Sequence, residues 1–249
     1  MDDSLLLLIL PPLLLVPAMG LLSMIRSSHK FGQELKRKAF HVSFGLVALS
    51  FPLIWTETWM VVAGLSLGLA WMFAVRDLPC LRKHFGSVLH DCDRKSMGEL
   101  YYALSVAGLI LVTRDSPLLY VIPILILSLA DAAAAICGRL IPSQALTGYL
   151  RGKTVAGCSA FFVVAFTICV AILGLYTDLP AWQVGFCALV VATATGLAEA
   201  TCRDGLDNLV VPMVAWAFLA ALDRAAEPAL ITATDFRNSM NLLVTGAWE

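Results

Sequence analysis

Charged residues are scarce in this sequence. Only 14% of its 249 residues are Asp, Glu, Lys or Arg, against about 25% in ordinary soluble domains, whereas 59% are hydrophobic. The mean hydropathy is +0.84. This composition excludes a disordered chain, a nucleic-acid-binding domain and a secreted disulfide scaffold. It predicts an all-α, polytopic membrane protein, because a water-soluble fold of this size cannot hide so much apolar surface.

The absence of paired cysteines and of a basic N-terminal stretch excludes further kinds of protein. The seven cysteines form no CxxC pair, which predicts small buried residues rather than disulfides or a zinc site. The first apolar run is preceded by Asp2 and Asp3 rather than Lys or Arg, so the pattern is not that of a cleavable signal peptide. There is no Arg-rich transit peptide either. We therefore interpret the first apolar run as a membrane span.

Apolar segments recur along the chain, and each is a candidate membrane-spanning helix. They are residues 5–25, 42–55, 59–75, 100–113, 118–136, 155–176, 183–200 and 209–222. A span takes about 20 residues, so the shorter segments require tilting, re-entry or local thinning of the bilayer. We predict one transmembrane catalytic domain over residues 1–222. The tail at 223–249 has no clear apolar period and stays unassigned.

The positions of the charges predict the orientation of these helices. With the N-terminus outside, the loops at 26–40, 76–98, 138–154 and 201–208 face the cytoplasm, and they hold 14 of the 17 basic residues. This asymmetry is what the positive-inside rule requires. We predict about eight transmembrane helices with the N- and C-termini outside.

Two acidic residues, Asp131 and Glu199, lie inside apolar segments near their cytoplasmic ends. A charge at the centre of a span costs about 2.5–3.5 kcal/mol on insertion scales, so such residues usually indicate function. The alternative is that each acid is neutralised by a nearby arginine, such as Arg139 or Arg203. The sequence leaves both interpretations open.

The loop at 138–157 contains three basic residues, Arg139, Arg151 and Lys153, and no acid. Cations combined with glycines and hydroxyl groups are typical of a polyphosphate cradle, in which N–H groups and an ammonium neutralise phosphate oxygens. A soluble P-loop is not predicted, because no β-strand precedes this loop and Thr147 stands where the motif requires glycine. A generic positive-inside loop is the alternative.

Polar residues at the edges of two other segments have two interpretations each. Asp207 and Asn208, before the last apolar segment, suit either a helix cap or oxygen ligands for Mg²⁺. The stretch 33–41 mixes charges with apolar residues, as interfacial helices do, and His41 at its end is either structural or catalytic. The remaining histidines lack metal-ligand spacing.

Taken in order, these segments resemble the phytol kinase/dolichol kinase family of membrane-embedded lipid-alcohol kinases, which is related to the phosphatidate cytidylyltransferases. The matching motifs are Glu34-Leu-Lys-Arg-Lys-Ala-Phe-His41, Glu99-Leu-Tyr-Tyr102, Asp131 with Ala134, Gly138 and Arg139, Lys153-Thr-Val-Ala-Gly157, Ala198-Glu-Ala200 and Asp207-Asn-Leu-Val-Val-Pro212. The resemblance covers residues 34–212. Leu129 and Ala130 replace a doubled glycine of the family, and Val155 replaces a frequent aromatic residue. The longer acidic signature of the cytidylyltransferases is not evident, which favours the kinases.

The resemblance implies transfer of the terminal phosphate of a nucleoside triphosphate, CTP in this family, to an isoprenoid alcohol such as phytol, farnesol, geranylgeraniol or dolichol. We expect catalytic roles for Asp131, Lys153, Glu199 and Asp207, and Mg²⁺ on Asp131, Asp207 and Glu199. Nucleotide contacts are expected from Gly138, Arg139, Arg151, Lys153, Thr154, Gly157 and Asn208. Further candidate site residues are Arg37, Lys38, His41 and Glu99.

A long apolar alcohol partitions into the bilayer with its hydroxyl at the interface, and the nucleotide arrives from the cytoplasm. We therefore expect the chemistry at the inner helix ends, in a bacterial inner membrane or an organellar membrane, with no nucleic-acid partner. The alternatives are a phosphatidate cytidylyltransferase, a CTP-dependent diacylglycerol kinase, and a non-enzymatic transporter or scaffold. The sequence does not determine the oligomeric state.

Overall fold

The computed structural model describes residues 3–24, 30–55, 57–81, 97–113, 116–150 and 152–225. Within these ranges the fold is helical, and its β-structure is an isolated bridge between Ala145 and Thr154. The helices are α1 (Asp3–Met24), α2 (Lys30–Ala48), α3 (Phe51–Ile54), α4 (Thr58–Asp77), α5 (Gly98–Val112), α6 (Pro117–Leu125), α7 (Asp131–Leu140), α8 (Val155–Tyr176), α9 (Ala181–Thr201) and α10 (Asp207–Ala225). A π-helical segment, Ile126–Ala130, joins α6 to α7, and a short 3₁₀ turn, Gly148–Leu150, precedes α8.

The structure confirms the predicted all-α, polytopic membrane protein. Among the residues that the structure describes, four helical stretches are long and apolar enough to cross a bilayer: Thr58–Val75, Pro117–Leu140, Val155–Tyr176 and Ala181–Thr201. Two apolar stretches, Leu8–Leu22 and Leu100–Val112, are shorter. The count of eight spans and the outside position of both termini stay predictions, as does the division at residue 222, because the tail from 226 lies outside the described residues.

The region of α2 differs from the sequence-based expectation. The stretch 33–41 and the start of the apolar segment 42–55 form one continuous helix, α2, which ends at Ala48. A turn at residues 49–50 and the short α3, with Pro52 in its first turn, follow. No proline or glycine-rich break separates the polar stretch from the apolar one, so the helix runs through the expected boundary. Residues 34–41 therefore belong to the same continuous helix that packs into the bundle.

The continuous stretch of α6, the π segment and α7 lies at the centre of the bundle. It is the most buried of the four candidate spans, and Leu118, Ile122 and Ile126 are fully enclosed. The π segment packs against α2, α8 and α10, and α7 packs against α2 and α8. Helices buried on all sides are apolar all round, which explains the uniform hydrophobicity of 118–130. Asp131 follows directly after this core.

Two glycines bring α7 and α8 close together. A Cβ atom on Gly138 would lie 2.9 Å from the Thr154 Oγ1 atom and 3.4 Å from the Gly157 Cα atom. A Cβ on Gly157 would lie 3.0 Å from the carbonyl oxygen of Ala134. Small residues allow helix backbones to approach in this way. The small face that begins after Asp131 therefore serves tight helix packing.

The loop between α7 and α8 folds back as a hairpin. The backbone N–H of Leu146 donates to the Lys153 carbonyl at 2.9 Å, and that of Val155 donates to the Gln144 carbonyl at 3.1 Å. Gly148 and Gly152 adopt positive φ values of 66° and 97°, which glycine reaches without steric cost. The hairpin ends at Lys153, immediately before the first turn of α8.

Candidate functional site

Asp131 lies in a buried ionic cluster formed by α7 and α2. The Lys38 ammonium donates a hydrogen bond to Asp131 Oδ2, and His41 Nε2 lies 3.4 Å from the same oxygen. The side chains of Lys38 and Asp131 are each only 7% exposed. Lys38 and His41 share one face of α2 because residues three apart on a helix are neighbours. The long helix α2 thus carries two partners to an acid that is 93 residues away along the chain from Lys38.

Lys153 and Glu199 form a second ion pair. The Lys153 ammonium donates to Glu199 Oε1, which joins the end of the hairpin loop to the last turns of α9. The Glu199 side chain is 5% exposed and that of Lys153 is 27% exposed. Burial by itself lowers the pKa of Lys153, but the charge of Glu199 and the hydrogen bond to it prevail and raise that pKa. Lys153 therefore keeps its positive charge and is held in place by Glu199, while part of its side chain remains accessible to solvent.

Asp207, the first residue of α10, is the third acid of the site. Burial and the charge of Asp131 raise the pKa of Asp207, while Lys38 and Lys153 act in the opposite direction. Among the described residues Asp207 makes no ion pair; its Oδ1 atom accepts the backbone N–H of Asn208 at 3.2 Å. Asp207 is therefore within electrostatic reach of both ion pairs and adds a third carboxylate beside them.

A third ionic group links the first turns of α2 to the last turn of α7. Arg37 Nη2 donates to Glu34 Oε1 at 2.6 Å, and Arg139 Nη2 lies 3.5 Å from Glu34 Oε2. Burial raises the pKa of Glu34, but the three nearby cations Arg37, Lys38 and Arg139 outweigh it and hold that pKa below its ordinary value. Arg139, with a side chain 43% exposed, presents positive charge to solvent beside the site.

Several residues expected to contact a nucleotide have structural partners here. Thr154 Oγ1 accepts the Gly157 N–H at 3.2 Å and so caps α8. Gly138 and Gly157 form the close α7–α8 contact. Asn208 is buried, and its Nδ2 atom donates to the Gly98 carbonyl at 3.0 Å, which ties the start of α10 to the start of α5. The nucleotide contacts of these four residues stay predictions.

Two further candidates cannot be placed. Arg151 lies outside the described residues, and so does the side chain of Glu99, which is part of α5. The structure brings the other candidates to one end of the bundle. They are Arg37 and Arg139, which both pair with Glu34, a residue not among the predicted candidates, then Lys38 and His41 with Asp131, and Lys153 with Glu199 and Asp207.

The ion-pair partners correct one alternative that the sequence left open. Arg139 pairs with Glu34 rather than with Asp131, whose partner is Lys38, and Glu199 pairs with Lys153 rather than Arg203. Sequence proximity suggested arginines a few positions away, but the helix packing selects cations from other segments. Sequence reasoning also assigned no role to Tyr102 and Ser128, whose hydroxyl groups lie 2.9 Å apart beside this cluster. In the sequence, each of these two residues places a hydroxyl group inside an apolar segment, and that feature could have identified them.

The three carboxylates of the site are the candidate ligands for a metal ion. No group of three or more His, Cys, Asp or Glu side chains with metal-binding geometry occurs in the described part of the chain, so Asp131, Asp207 and Glu199 do not form a preformed three-ligand cage. Mg²⁺ is commonly bound by one or two carboxylates together with substrate phosphates and water. Asp131 and Asp207, whose charges influence each other, fit that weaker requirement.

These features define a class first: an integral membrane protein whose ionisable residues meet at one end of an apolar helical bundle. The chain is 28% identical over 202 residues to "Phytol kinase" of Synechocystis sp., covering 74% of this chain and 79% of that protein. It is 27% identical over 220 residues to "Probable phytol kinase 3, chloroplastic" of Glycine max, covering 80% and 67%. No protein-family model matches the chain, and no solved structure is a significant match. The two relatives confirm the resemblance to the phytol kinase/dolichol kinase family.

Proposed function

We propose that this chain is a membrane-embedded kinase that transfers the terminal phosphate of a nucleoside triphosphate, CTP by its family resemblance, to an isoprenoid alcohol of the phytol type. The phytol kinase relatives, which align with most of the chain, support an enzyme that phosphorylates an alcohol. The observation that carries the proposal is the presence of two ion pairs, Lys38–Asp131 and Lys153–Glu199, drawn from four separate segments, with Asp207 within electrostatic reach of both.

Phosphoryl transfer depends mainly on positioning and on neutralising charge, and the site offers both. Lys153 is held by Glu199 with 27% of its side chain exposed, so it can contact a triphosphate without leaving its partner. Arg139 is exposed nearby and adds a second cation for the nucleotide. These two side chains stand at the cytoplasmic ends of their helices in the predicted topology, where a soluble nucleotide arrives.

Asp131 and Asp207 are the residues that would hold Mg²⁺, with Glu199 beside them. When bound, the ion supplies positive charge that offsets the triphosphate and the excess carboxylate of the site. The protein's own part is to offset the repulsion between the two carboxylates, which adds to burial in raising the pKa of Asp207. Lys38 does this by pairing with Asp131.

The acceptor follows from the surroundings of the site. Apolar side chains are exposed along the helices that flank it, including Val163 on α8 and Leu197 on α9, and such surfaces face lipid. A long isoprenoid alcohol dissolved in the bilayer would bring its hydroxyl to the helix ends where the charged groups lie. We propose a multi-pass location in a bacterial inner membrane or an organellar membrane.

The proposal is tested with purified protein in detergent or liposomes. Nucleoside triphosphates labelled at the α or the γ phosphate are offered with phytol, farnesol, dolichol, diacylglycerol and phosphatidate. We expect γ label in phytol or a related isoprenoid alcohol, with CTP the best donor and Mg²⁺ required. Label from the α phosphate in phosphatidate would indicate a cytidylyltransferase instead. Label in diacylglycerol alone would change the acceptor, and no labelled lipid would contradict the kinase proposal.

A further inference from the structure

The ring of His41 is fixed on three sides. It stacks on Tyr102 with ring centroids 4.5 Å apart and an interplanar angle of 14°. The Nε2 atom lies 3.1 Å from the Leu127 carbonyl oxygen and 3.4 Å from Asp131 Oδ2. His41 is 8% exposed. The ring therefore has little freedom to rotate, and its Nε2 atom is bonded to the backbone and lies beside the acid.

The contact with a carbonyl determines which way that hydrogen bond runs. A carbonyl oxygen only accepts hydrogen bonds, so Nε2 must carry the hydrogen and donate it. Asp131 Oδ2 lies 3.4 Å from the same nitrogen and accepts its hydrogen bond from the Lys38 ammonium. An Nε2 atom that already carries a hydrogen cannot take up the proton of an acceptor alcohol. This geometry is that of a donor that holds groups in place.

The backbone that His41 contacts is irregular. Leu127 belongs to the π-helical segment, in which N–H groups bond five residues back instead of four. Ser128 in the same segment donates its hydroxyl to the Ile124 carbonyl at 2.7 Å and lies 2.9 Å from the Tyr102 hydroxyl. Gly45, one turn beyond His41, leaves no room there, because a Cβ would fall 1.7 Å from Ser128 Oγ. Side chains and backbone of α2 and α5 thus pack against the π segment, which ends at Ala130, directly before Asp131.

We propose that His41 is a positioning residue: its Nε2–H group bonds the Leu127 carbonyl and so fixes the end of the π segment, from which Asp131 follows directly. Tyr102 holds the imidazole plane, and the π segment places the Leu127 carbonyl within reach of the Nε2–H donor. This inference rests on the proposed function for its catalytic consequence. Its structural content, the stabilised end of the π segment, does not depend on the reaction.

The variants that test this role separate the donor from the imidazole. The amide nitrogen of glutamine stands as far along its side chain as Nε2 of histidine, whereas that of asparagine corresponds to Nδ1. H41Q therefore keeps the donor and has no titrating ring, and H41N and H41A lose the donor at that point. S43A is the matched control, because Ser43 on the same helix bonds only the Ala39 carbonyl of its own helix at 2.9 Å among the described residues.

Kinetics give the first readout. We expect H41A and H41N to lose about 10²-fold in kcat, the usual scale for a misplacement near 1 Å, with the KM values for nucleotide and alcohol nearly unchanged. H41Q should recover most of kcat with the pH profile of the wild type, and S43A should equal the wild type. If H41Q is as inactive as H41A, or if the acidic limb of the pH–rate profile disappears in H41Q, His41 is a base and the inference is wrong.

Hydrogen–deuterium exchange gives a readout that needs no activity. Peptides that cover residues 126–131 should exchange faster in H41A than in the wild type, and at the wild-type rate in H41Q and S43A. Equal exchange in H41A and the wild type would overturn the inference. If the wild type phosphorylates no alcohol, the proposed function fails, and the exchange comparison alone decides the role of His41.

Discussion

Replacing Lys153 by methionine removes the more accessible of the two ammonium groups of the site while keeping a long, flexible side chain. Two separate losses follow, because Lys153 both faces the solvent side of the site and neutralises Glu199. The first loss is catalytic: removing one charged contact to a transition state costs about 10²–10³-fold in rate, by analogy with oxyanion donors. The second is structural, because the Glu199 side chain is only 5% exposed and would lose its partner.

The structural cost can be bounded. Breaking a fully buried ion pair costs about 3–5 kcal/mol, whereas an exposed pair contributes about 0–1 kcal/mol. Lys153 keeps 27% of its side chain exposed, so we expect K153M to lower the free energy of unfolding by about 1–3 kcal/mol. The double variant K153M/E199Q removes the unpaired carboxylate and should recover most of that stability.

The assay compares the wild type, K153M, E199Q and the double variant for thermal unfolding in detergent and for transfer of γ label to the lipid alcohol. We expect the double variant to be nearly as stable as the wild type and as inactive as K153M. Substantial activity in K153M would mean that the basic residues of this loop only orient the protein in the membrane. Activity restored in the double variant would mean that Lys153 acts only by neutralising Glu199, and the reasoning would be refuted.

The remaining predictions concern the acids, the helix contact and the topology. Asp131→Asn and Asp207→Asn should each lose activity and recover part of it at high Mg²⁺ or Mn²⁺; an unchanged rate and metal dependence would remove that residue from the site. Gly157→Ala should lower stability by about 1–3 kcal/mol through overpacking, whereas Gly174→Ala on the same helix, where a Cβ meets nothing within 4 Å, should not; equal melting temperatures would contradict the α7–α8 contact. In a background without reactive cysteines, Ala145→Cys should resist an impermeant thiol reagent in intact cells, and ready labelling from outside would overturn the predicted orientation.

The sequence alone was sufficient for the properties that depend on local composition. Hydropathy identified the apolar helices because each span must satisfy its own backbone hydrogen bonds in lipid, whatever its neighbours are. The cost of a charge in lipid is local as well, so Asp131 and Glu199 are conspicuous from their apolar sequence neighbours alone. The family motifs pointed to Lys153 and Asp207 for the same site. The boundary of α2 was less predictable, because an apolar segment does not by itself tell where its helix begins.

Only the tertiary structure decided which of these residues meet. Lys38 and Asp131 are 93 residues apart, and Lys153 and Glu199 are 46 apart, so helix packing selected these partners over the arginines closer in sequence. The contact of His41 with the Leu127 carbonyl depends on a π segment and on the space left by Gly45, neither of which has a periodic signature. Local chemistry specifies which groups are costly to bury, but the relief of that cost comes from whichever segment the packed bundle brings alongside.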